Sequence, residues 1–132
     1  MDQSILIVDD DADLRDSLAA ILSPFFKVLI ASNGAQGLDV LTKERPNLIL
    51  LEVTMPGMSG LEFLAAAKVL NPTVIVVMLT SHQEIEIAMK ALNLGAIEYV
   101  TKPFTAAFIR AEVSRLISPD KSANDKPWKV VP

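Results

Sequence analysis

The sequence predicts an α/β fold in which five βα units build one parallel sheet that is covered by helices on both faces. Apolar runs rich in Ile, Val and Leu recur five times along the 132 residues, and longer segments with helical spacing separate them. The inner runs are continuously apolar instead of alternating, which is typical of strands buried on both faces. Together these observations predict a (βα)5 fold with a doubly wound five-stranded parallel sheet.

The first two units begin at the apolar runs 5–8 and 25–31, each of which predicts a strand. Asp11 follows the first run and can accept hydrogen bonds from the free amides of a helix at 12–23. The second run leads into a segment of helical spacing at 35–44. We therefore expect a strand and a helix in each of these units.

The third strand is expected at 48–51, where every residue is apolar. The segment Met55–Gly60 lacks the lysine of a nucleotide-binding loop, so it predicts a tight turn and no ATP site. A helix is expected at 60–70, and Asn71 followed by Pro72 should end it.

The last two strands are expected at 74–79 and 97–100. The helices that follow them are expected at 83–93 and 105–117, and the stretch from Asn93 to Gly95 should end the first of these. Helical spacing predicts two inward stripes. They comprise residues 85, 88, 89 and 92 on the fourth helix and residues 106, 109, 113 and 116 on the fifth. Ile87, Ala91 and Phe108 are expected to face outward, where a partner could bind.

Composition predicts one domain and excludes several classes of protein. With 51% hydrophobic residues the chain can fill one core, which we assign to residues 1–118, and the polar stretch 119–132 is expected to be a linker or a disordered tail. Trp128 could instead dock on the domain or be the first part of an output domain.

The net charge of −4 argues against nucleic-acid binding, and the absence of cysteine fits a reducing cytoplasm. No run approaches the roughly 18 apolar residues of a membrane span.

Polar side chains stand where the predicted strands end. Asp9 and Asp10 follow the first strand, Glu52 ends the third, Thr80 ends the fourth and Lys102 follows the fifth. The carboxyl ends of parallel strands meet at one edge of a sheet, so these groups should converge. Three close carboxylates repel one another unless a cation lies between them, and oxygen ligands suit Mg²⁺. The sequence therefore predicts a magnesium site at this edge.

Four separated motifs resemble the receiver domain of bacterial two-component response regulators, which has a flavodoxin-like fold. They are Val8–Asp11, Glu52–Gly60, Leu79–Ser81 and Tyr99–Pro103, and the resemblance extends over about residues 3–118. In that family the position of Glu52 holds the aspartate that accepts a phosphoryl group from a histidine kinase. The departure from the family pattern thus falls on the residue that carries the chemistry.

The resemblance implies a role for each of the other motif residues. Asp10, the carboxylate at Glu52 and the backbone carbonyl of Thr54 would bind Mg²⁺ directly, and Asp9 would act mainly through water. Lys102 would pair with the carboxylate at position 52 and with phosphoryl oxygens, and its bond to Pro103 would be cis.

Two further residues would form the switch. Thr80 would donate a hydrogen bond to the phosphoryl group, and the Tyr99 ring would move as Thr80 responds. His82 is the only histidine and has no predicted catalytic partner, so we expect a surface loop residue.

Glutamate at position 52 changes the expected mechanism because its extra methylene moves the carboxylate by about 1.5 Å into the space of the phosphoryl group. The carboxylate should then contact Thr80 or Lys102, and phosphorylation should be impaired or mimicked. The domain could be a natural non-phosphorylatable receiver held partly in its active shape, or a variant of an ordinary receiver. Slow phosphorylation of Glu52 itself is a third interpretation.

The leading functional hypothesis is signal relay in a two-component pathway, without an enzymatic activity of its own. The resemblance implies a sensor histidine kinase or phosphotransfer protein as one partner. It also implies an output domain, a partner protein or a second copy at the face formed by the fourth helix, the fifth strand and the fifth helix. The rival hypotheses are a phosphorylation-independent binding scaffold and a small phosphoryl-transfer enzyme. Retention of Asp9, Asp10, Thr80 and Lys102 argues against the scaffold.

Overall fold

The computed structural model describes residues 3–118, and it confirms the predicted alternation of strands and helices. The strands are β1 (Ser4–Val8), β2 (Lys27–Ala31), β3 (Leu48–Glu52), β4 (Ile75–Thr80) and β5 (Glu98–Thr101). The helices are α1 (Ala12–Leu22), α2 (Gly34–Glu44), α3 (Gly60–Leu70), α4 (Ile85–Asn93) and α5 (Ala106–Ile117). The expected linker or tail at 119–132, with Trp128, lies outside the described residues.

All five strands are parallel and lie in the order β2-β1-β3-β4-β5, as in flavodoxin-like folds. The chain moves outward from β1 to one side, then crosses back and builds β3, β4 and β5 on the other side. The direction of winding therefore reverses between β1 and β3. In open α/β sheets, ligands bind beyond the carboxyl ends of the strands at such a point.

The core has two layers because successive residues of a strand point to opposite faces of the sheet. From β1, Leu6 and Val8 join the layer beneath α2, α3 and α4, whereas Ile5 and Ile7 join the layer beneath α1 and α5. The three inner strands are buried along their length, apart from a half-buried residue at the start of β4. The continuous apolar runs in the sequence reflect this burial on both faces.

Local capping signals determine where α1 and α3 begin and where α3 ends. Asp11 accepts hydrogen bonds from the amides of Asp13 and Leu14, as predicted for the start of α1. Ser59 and Glu62 form a reciprocal capping box at the start of α3. Asn71 ends α3 as predicted.

Two predicted boundaries were wrong. Phe25 and Phe26 do not belong to β2, because their amides donate to the carbonyl of Leu22 in a turn that follows α1. Phe26 is apolar because it packs in the core, and an apolar run alone does not distinguish a buried turn from a strand. The fourth helix begins at Ile85, since residues His82–Glu84 form a separate 3-10 turn.

The predicted inward stripe of α4 was wrong in part, although Ala88 is buried as predicted. Ala91 was expected outside and is fully buried next to Ala88, whereas Met89 is 53% exposed and Leu92 is 38% exposed. Small alanine side chains let the helix approach the sheet closely, so burial does not follow side-chain size here. On α5, Ala106 is exposed instead of buried, and residues 109, 113 and 116 are buried as predicted. Ile87 and Phe108 are exposed, as expected.

No helix within residues 3–118 is long and apolar enough to cross a membrane.

Candidate functional site

The site lies at the carboxyl ends of β1, β3 and β5, and an ion pair forms its centre. Glu52 ends β3 and is only 6% exposed, and its Oε1 accepts a hydrogen bond from Nζ of Lys102. Lys102 follows β5, and its backbone amide donates to the carbonyl of Thr80 at the end of β4. The bond from Lys102 to Pro103 is cis, as the resemblance implied. Glu52 was expected to contact Thr80 or Lys102, and its side chain contacts Lys102.

Asp9 follows β1 and carries the most deeply buried carboxylate of the site, with 1% exposure. Its Oδ1 accepts a hydrogen bond from the amide of Asp11 at 2.9 Å. Its Oδ2 is buried without a hydrogen-bond partner and lies 3.8 Å from Nζ of Lys102. One ammonium group therefore stands close to two buried carboxylates, and only one of them receives a direct hydrogen bond from it.

Burial raises the pKa of the Asp9 carboxyl from 3.8 to about 6. The hydrogen bond from Asp11 and the charge of Lys102 oppose this change, whereas the charge of Glu52 adds to it. Because the pKa in the folded state lies above the ordinary value, ionised Asp9 destabilises the fold. This cost is absent below pH 3.8, grows as the pH rises and is complete above about pH 6.

Asp9→Asn should stabilise the chain at pH 7 in metal-free buffer, because the amide removes a buried charge. The raised pKa corresponds to about 2 to 3 kcal/mol in the free energy of unfolding. Urea denaturation at pH 4 and pH 7 measures this difference, which should be much smaller at pH 4, where the folded Asp9 carboxyl is protonated. Asp16→Asn, at an exposed position on α1, is the control and should change stability little at either pH. A difference between Asp9→Asn and the parent that is the same at both pH values would contradict the prediction.

The remaining predicted ligand residues lie at the solvent-exposed edge of the site, which we call the rim. Asp10 is exposed, unlike its neighbour Asp9. Thr54 lies two residues after β3 and is also exposed, and its amide approaches Oε2 of Glu52 at 3.4 Å. The hydroxyl of Thr54 donates to Oε2 of Glu84 at 2.5 Å.

The predicted switch residues lie on the adjacent strands β4 and β5. Thr80 is fully buried, and its hydroxyl donates to the carbonyl oxygen of Ser81 at 3.0 Å. Tyr99 is half-buried in the edge strand β5, where it packs against the core layer beneath α4. His82 is exposed in the 3-10 turn, in agreement with a surface role.

The oxygen donors fit Mg²⁺ in kind. The buried Oδ2 of Asp9 has no hydrogen-bond partner, and a buried carboxylate oxygen of this type calls for a cation. The ammonium group of Lys102 supplies one positive charge close to Asp9, and it also pairs with Glu52. Within residues 3–118, no group of three Asp, Glu, His or Cys side chains is arranged to hold a metal ion. The side chains of Asp10 and Glu52 thus do not form a closed metal cage with Asp9.

Sequence reasoning missed two residues of the site. Glu84 joins Thr54 to Ser81, since its Oε1 accepts a hydrogen bond from the Ser81 hydroxyl at 3.3 Å. Arg15 on α1 donates from its guanidinium to the carbonyl of Asp9 at 2.7 Å. An acidic residue at the predicted start of the fourth helix could have drawn attention to Glu84. Acidic residues are also common at this position because they interact favourably with the helix dipole, so the sequence did not single Glu84 out.

The chain matches the family model of the response regulator receiver domain over residues 5–114. Among curated proteins, sporulation initiation phosphotransferase F of Bacillus subtilis (strain 168) is 36% identical over 118 residues, which cover 89% of this chain and 95% of that protein. The DNA-binding transcriptional regulator NtrC of Escherichia coli (strain K12) is 34% identical over 115 residues, which cover 86% of this chain but 24% of that protein.

Solved structures show the same relationship. The receiver domain of NtrX from Brucella abortus superposes with a TM-score of 0.83 at 32% identity, covering 88% of this chain and 99% of that one. A response regulator receiver domain protein from Clostridium thermocellum superposes with a TM-score of 0.84 at 29% identity, covering 90% and 97%.

Proposed function

The chain belongs to the response regulator receiver domain family, and from this premise we propose that it relays a two-component signal by conformational switching, with Glu52 in place of the phosphoacceptor aspartate. Receiver domains are signalling modules of two-component systems. They interact with histidine kinases or phosphotransfer proteins and with output domains. The proposal adds that Glu52 impairs phosphorylation and partly mimics its result. A reducing cytoplasm is the compartment that we propose for this role.

The ion pair between Glu52 and Lys102 is the observation that carries this proposal. Lys102 is the cation expected to hold phosphoryl oxygens, and here the longer glutamate reaches it without a phosphoryl group. An oxygen that attacks phosphorus in line must be placed to within a fraction of an ångström, and the pairing holds Oε1 of Glu52 at the ammonium group. Glu52 should therefore be a poor phosphoacceptor.

Mimicry should be partial. A carboxylate carries one negative charge and two oxygens, whereas a phosphoryl group carries more charge and three acceptor oxygens. Glu52 engages Lys102, but the hydroxyl of Thr80 still donates to the carbonyl of Ser81. Of the two contacts expected of a phosphoryl group, Glu52 reproduces the one with Lys102 and not the one with Thr80. The equilibrium between the inactive and active states should therefore shift only partly toward the active state.

Receiver domains generally bind Mg²⁺ at the phosphorylation site. We propose that Asp10, Glu52 and the Thr54 carbonyl would hold the ion weakly, with Asp9 mainly acting through water. The bound ion would neutralise charge on the carboxylates and on a transferring phosphoryl group. Oδ2 of Asp9, which is buried without a hydrogen-bond partner, supports the need for a cation at this site, and the exposed position of Asp10 would let the ion approach from the solvent side.

We propose that the face of α4, β5 and α5 binds an output domain, a partner protein or a second copy of the chain. Ile87, Met89, Leu92 and Phe108 place exposed apolar side chains on its two helices. A sensor histidine kinase or a phosphotransfer protein would be the partner at the carboxyl edge of the sheet. Nucleic-acid binding by this domain is not part of the proposal, because the net charge is −4.

NMR tests the proposed bias of the switch. Amide shifts of Thr80, Tyr99 and α4 in the parent chain should lie between those of Glu52→Asp alone and Glu52→Asp with Mg²⁺ and beryllofluoride. A charge-assisted contact of about 1.5 to 3 kcal/mol would shift the population by about tenfold to a hundredfold if it forms in only one state.

Glu52→Gln is the matched control, since it keeps the length of the side chain and removes its charge. Its shifts should return toward those of ligand-free Glu52→Asp. Parent shifts that coincide with ligand-free Glu52→Asp would contradict the mimicry and favour a phosphorylation-independent binding scaffold.

A further inference from the structure

We propose that Glu84 is a positioning residue that connects the loop after β3 to the turn after β4 and thereby sets the direction of the Thr80 hydroxyl. The loop after β3 comprises residues 53–59, and the turn after β4 comprises Ser81 and the 3-10 turn His82–Glu84. This inference rests on the proposed function, because it assigns a regulatory consequence to the Thr80 switch.

Glu84 makes one hydrogen bond with each of its carboxylate oxygens. Oε2 accepts from the Thr54 hydroxyl at 2.5 Å, and Oε1 accepts from the Ser81 hydroxyl at 3.3 Å. Thr54 and Glu84 are 30 positions apart in the sequence, so their contact joins two separate segments. Hydrogen bonds to an ionised acceptor are stronger than neutral ones, which makes a carboxylate an effective bridge between two hydroxyl groups.

The carboxylate of Glu84 is not used to cap α4. Glu84 stands at the position just before this helix, and its side chain makes no capping hydrogen bond there. The side chains at the corresponding positions of the other four helices do accept such bonds: Asp11, Asn33, Ser59 and Thr105. A residue that only started the helix would use its carboxylate in the same way, so the contacts of Glu84 point to the neighbouring loops.

Glu84 also holds the group that receives the Thr80 hydroxyl. The carbonyl oxygen of Ser81 accepts two hydrogen bonds, one from Oγ1 of Thr80 at 3.0 Å and one from the backbone amide of Glu84 at 3.1 Å. The Ser81 hydroxyl is bound by the Glu84 carboxylate at the same time. Ser81 is therefore held at both its carbonyl and its side chain, and the Thr80 hydroxyl must leave this carbonyl before it can donate toward position 52.

The same bridge begins beside Glu52. The amide of Thr54 approaches Oε2 of Glu52 at 3.4 Å, and the hydroxyl of the same residue binds Glu84. A change of the group at position 52 that displaces Thr54 is therefore transmitted through Glu84 and Ser81 to Thr80. Release of the bridge should favour the state in which the Thr80 hydroxyl turns away from Ser81.

The experiment uses the whole chain with Glu52 in place, without metal or phosphodonor. Thr54→Val removes the hydroxyl and keeps the shape and the carbonyl, and Glu84→Ala removes the bridge. Both variants should move the Thr80 and Ser81 NMR signals in the same direction, with the population of the alternative state raised about fivefold to tenfold. The double variant should add little to either single change, because both remove the same connection.

Two variants separate positioning from a general effect on the helix. Glu84→Gln keeps an acceptor for the Thr54 hydroxyl and should retain part of the parental Thr80 signal. Glu86→Gln, on the exposed side of α4, removes the same charge and should leave Thr80 unchanged. If Thr54→Val leaves Thr80 and Ser81 unchanged, or if the two single effects are fully additive, the positioning role of Glu84 is wrong.

The response of Glu52→Asp to beryllofluoride keeps this test distinct from the proposed function. If the Thr80 signal of Glu52→Asp does not change with beryllofluoride but the effects of the Thr54 and Glu84 substitutions are non-additive, the proposed switching function is wrong and the positioning role of Glu84 is supported. If the Thr80 signal changes and the two substitutions have additive effects, the positioning role is wrong and the switching function is supported.

Discussion

Glu52→Asp should accumulate a phosphoryl adduct from acetyl phosphate with Mg²⁺, whereas the parent chain should not. Shortening the side chain by one methylene withdraws the carboxylate from Lys102, which it contacts in the parent. The vacated space lies between the carboxylate, Lys102 and the rim that carries Asp10, where a phosphoryl group and a metal ion are expected. The nucleophilic oxygen then gains room for in-line attack.

The effect should be large, since a misplacement of about 1 Å can cost about 100-fold in rate and the extra methylene moves the oxygen further than that. Intact-mass spectrometry over time measures the fraction of phosphorylated chain. Asp10→Asn in the Glu52→Asp background should slow the reaction, and chelation of Mg²⁺ should prevent it. A phosphoryl adduct that forms on the parent chain at the rate of Glu52→Asp would contradict the proposed impairment.

Gly60→Ala should destabilise the chain by about 3 kcal/mol or more, because backbone atoms fill the space that a side chain would need. A Cβ at Gly60 would lie 2.5 Å from the carbonyl oxygen of Glu52 and 2.6 Å from that of Val53. The amide of Gly60 donates to the same Val53 carbonyl at 3.0 Å, so α3 cannot move away without losing this bond. Urea denaturation should show a lower midpoint.

Gly34→Ala is the matched control, since Gly34 is likewise the first residue of a helix. A Cβ there would meet Sδ, Cβ and Cγ of Met58 at 2.7, 2.9 and 3.0 Å. Rotation of the methionine side chain can move Sδ and Cγ, and a small shift of the loop that carries Met58 must move Cβ, whereas at Gly60 the close atoms are backbone carbonyls of β3 and the residue after it. The loss of stability should therefore be smaller than for Gly60→Ala. Equal losses in the two variants would show that the close approach to the carbonyls of β3 is not what requires glycine at position 60.

The carboxyl edge of the sheet was predictable from the sequence because two regular patterns determine it. Apolar runs locate the strands, and parallel pairing brings the residues after those runs to one edge. Asp9, Glu52, Thr80 and Lys102 could therefore be placed together before any contact was known. The caps Asp11 and Asn71 were predictable for a similar reason, since they depend on hydrogen bonds over two to four residues.

The burial of α4 was not predictable in this way. Ala91 and Met89 are both apolar, and the sequence pattern gives no reason for the smaller side chain to face the sheet. Ala91 is buried because the helix lies close to β4 and β5 in the folded chain, and Met89 remains on the outer side. The distance between two packed elements is a property of the tertiary structure.

The sequence by itself determined the fold class, the order of the units and the set of polar residues at the edge of the sheet. Tertiary structure decided which of these groups pair: Lys102 hydrogen-bonds Glu52 instead of Asp9, and Glu84 joins Thr54 to Ser81. Periodicity reports which face of an element is buried and where it ends. Partners in a hydrogen bond are selected by distances of about 3 Å between side chains from different loops, and those distances exist only once the strands are packed side by side.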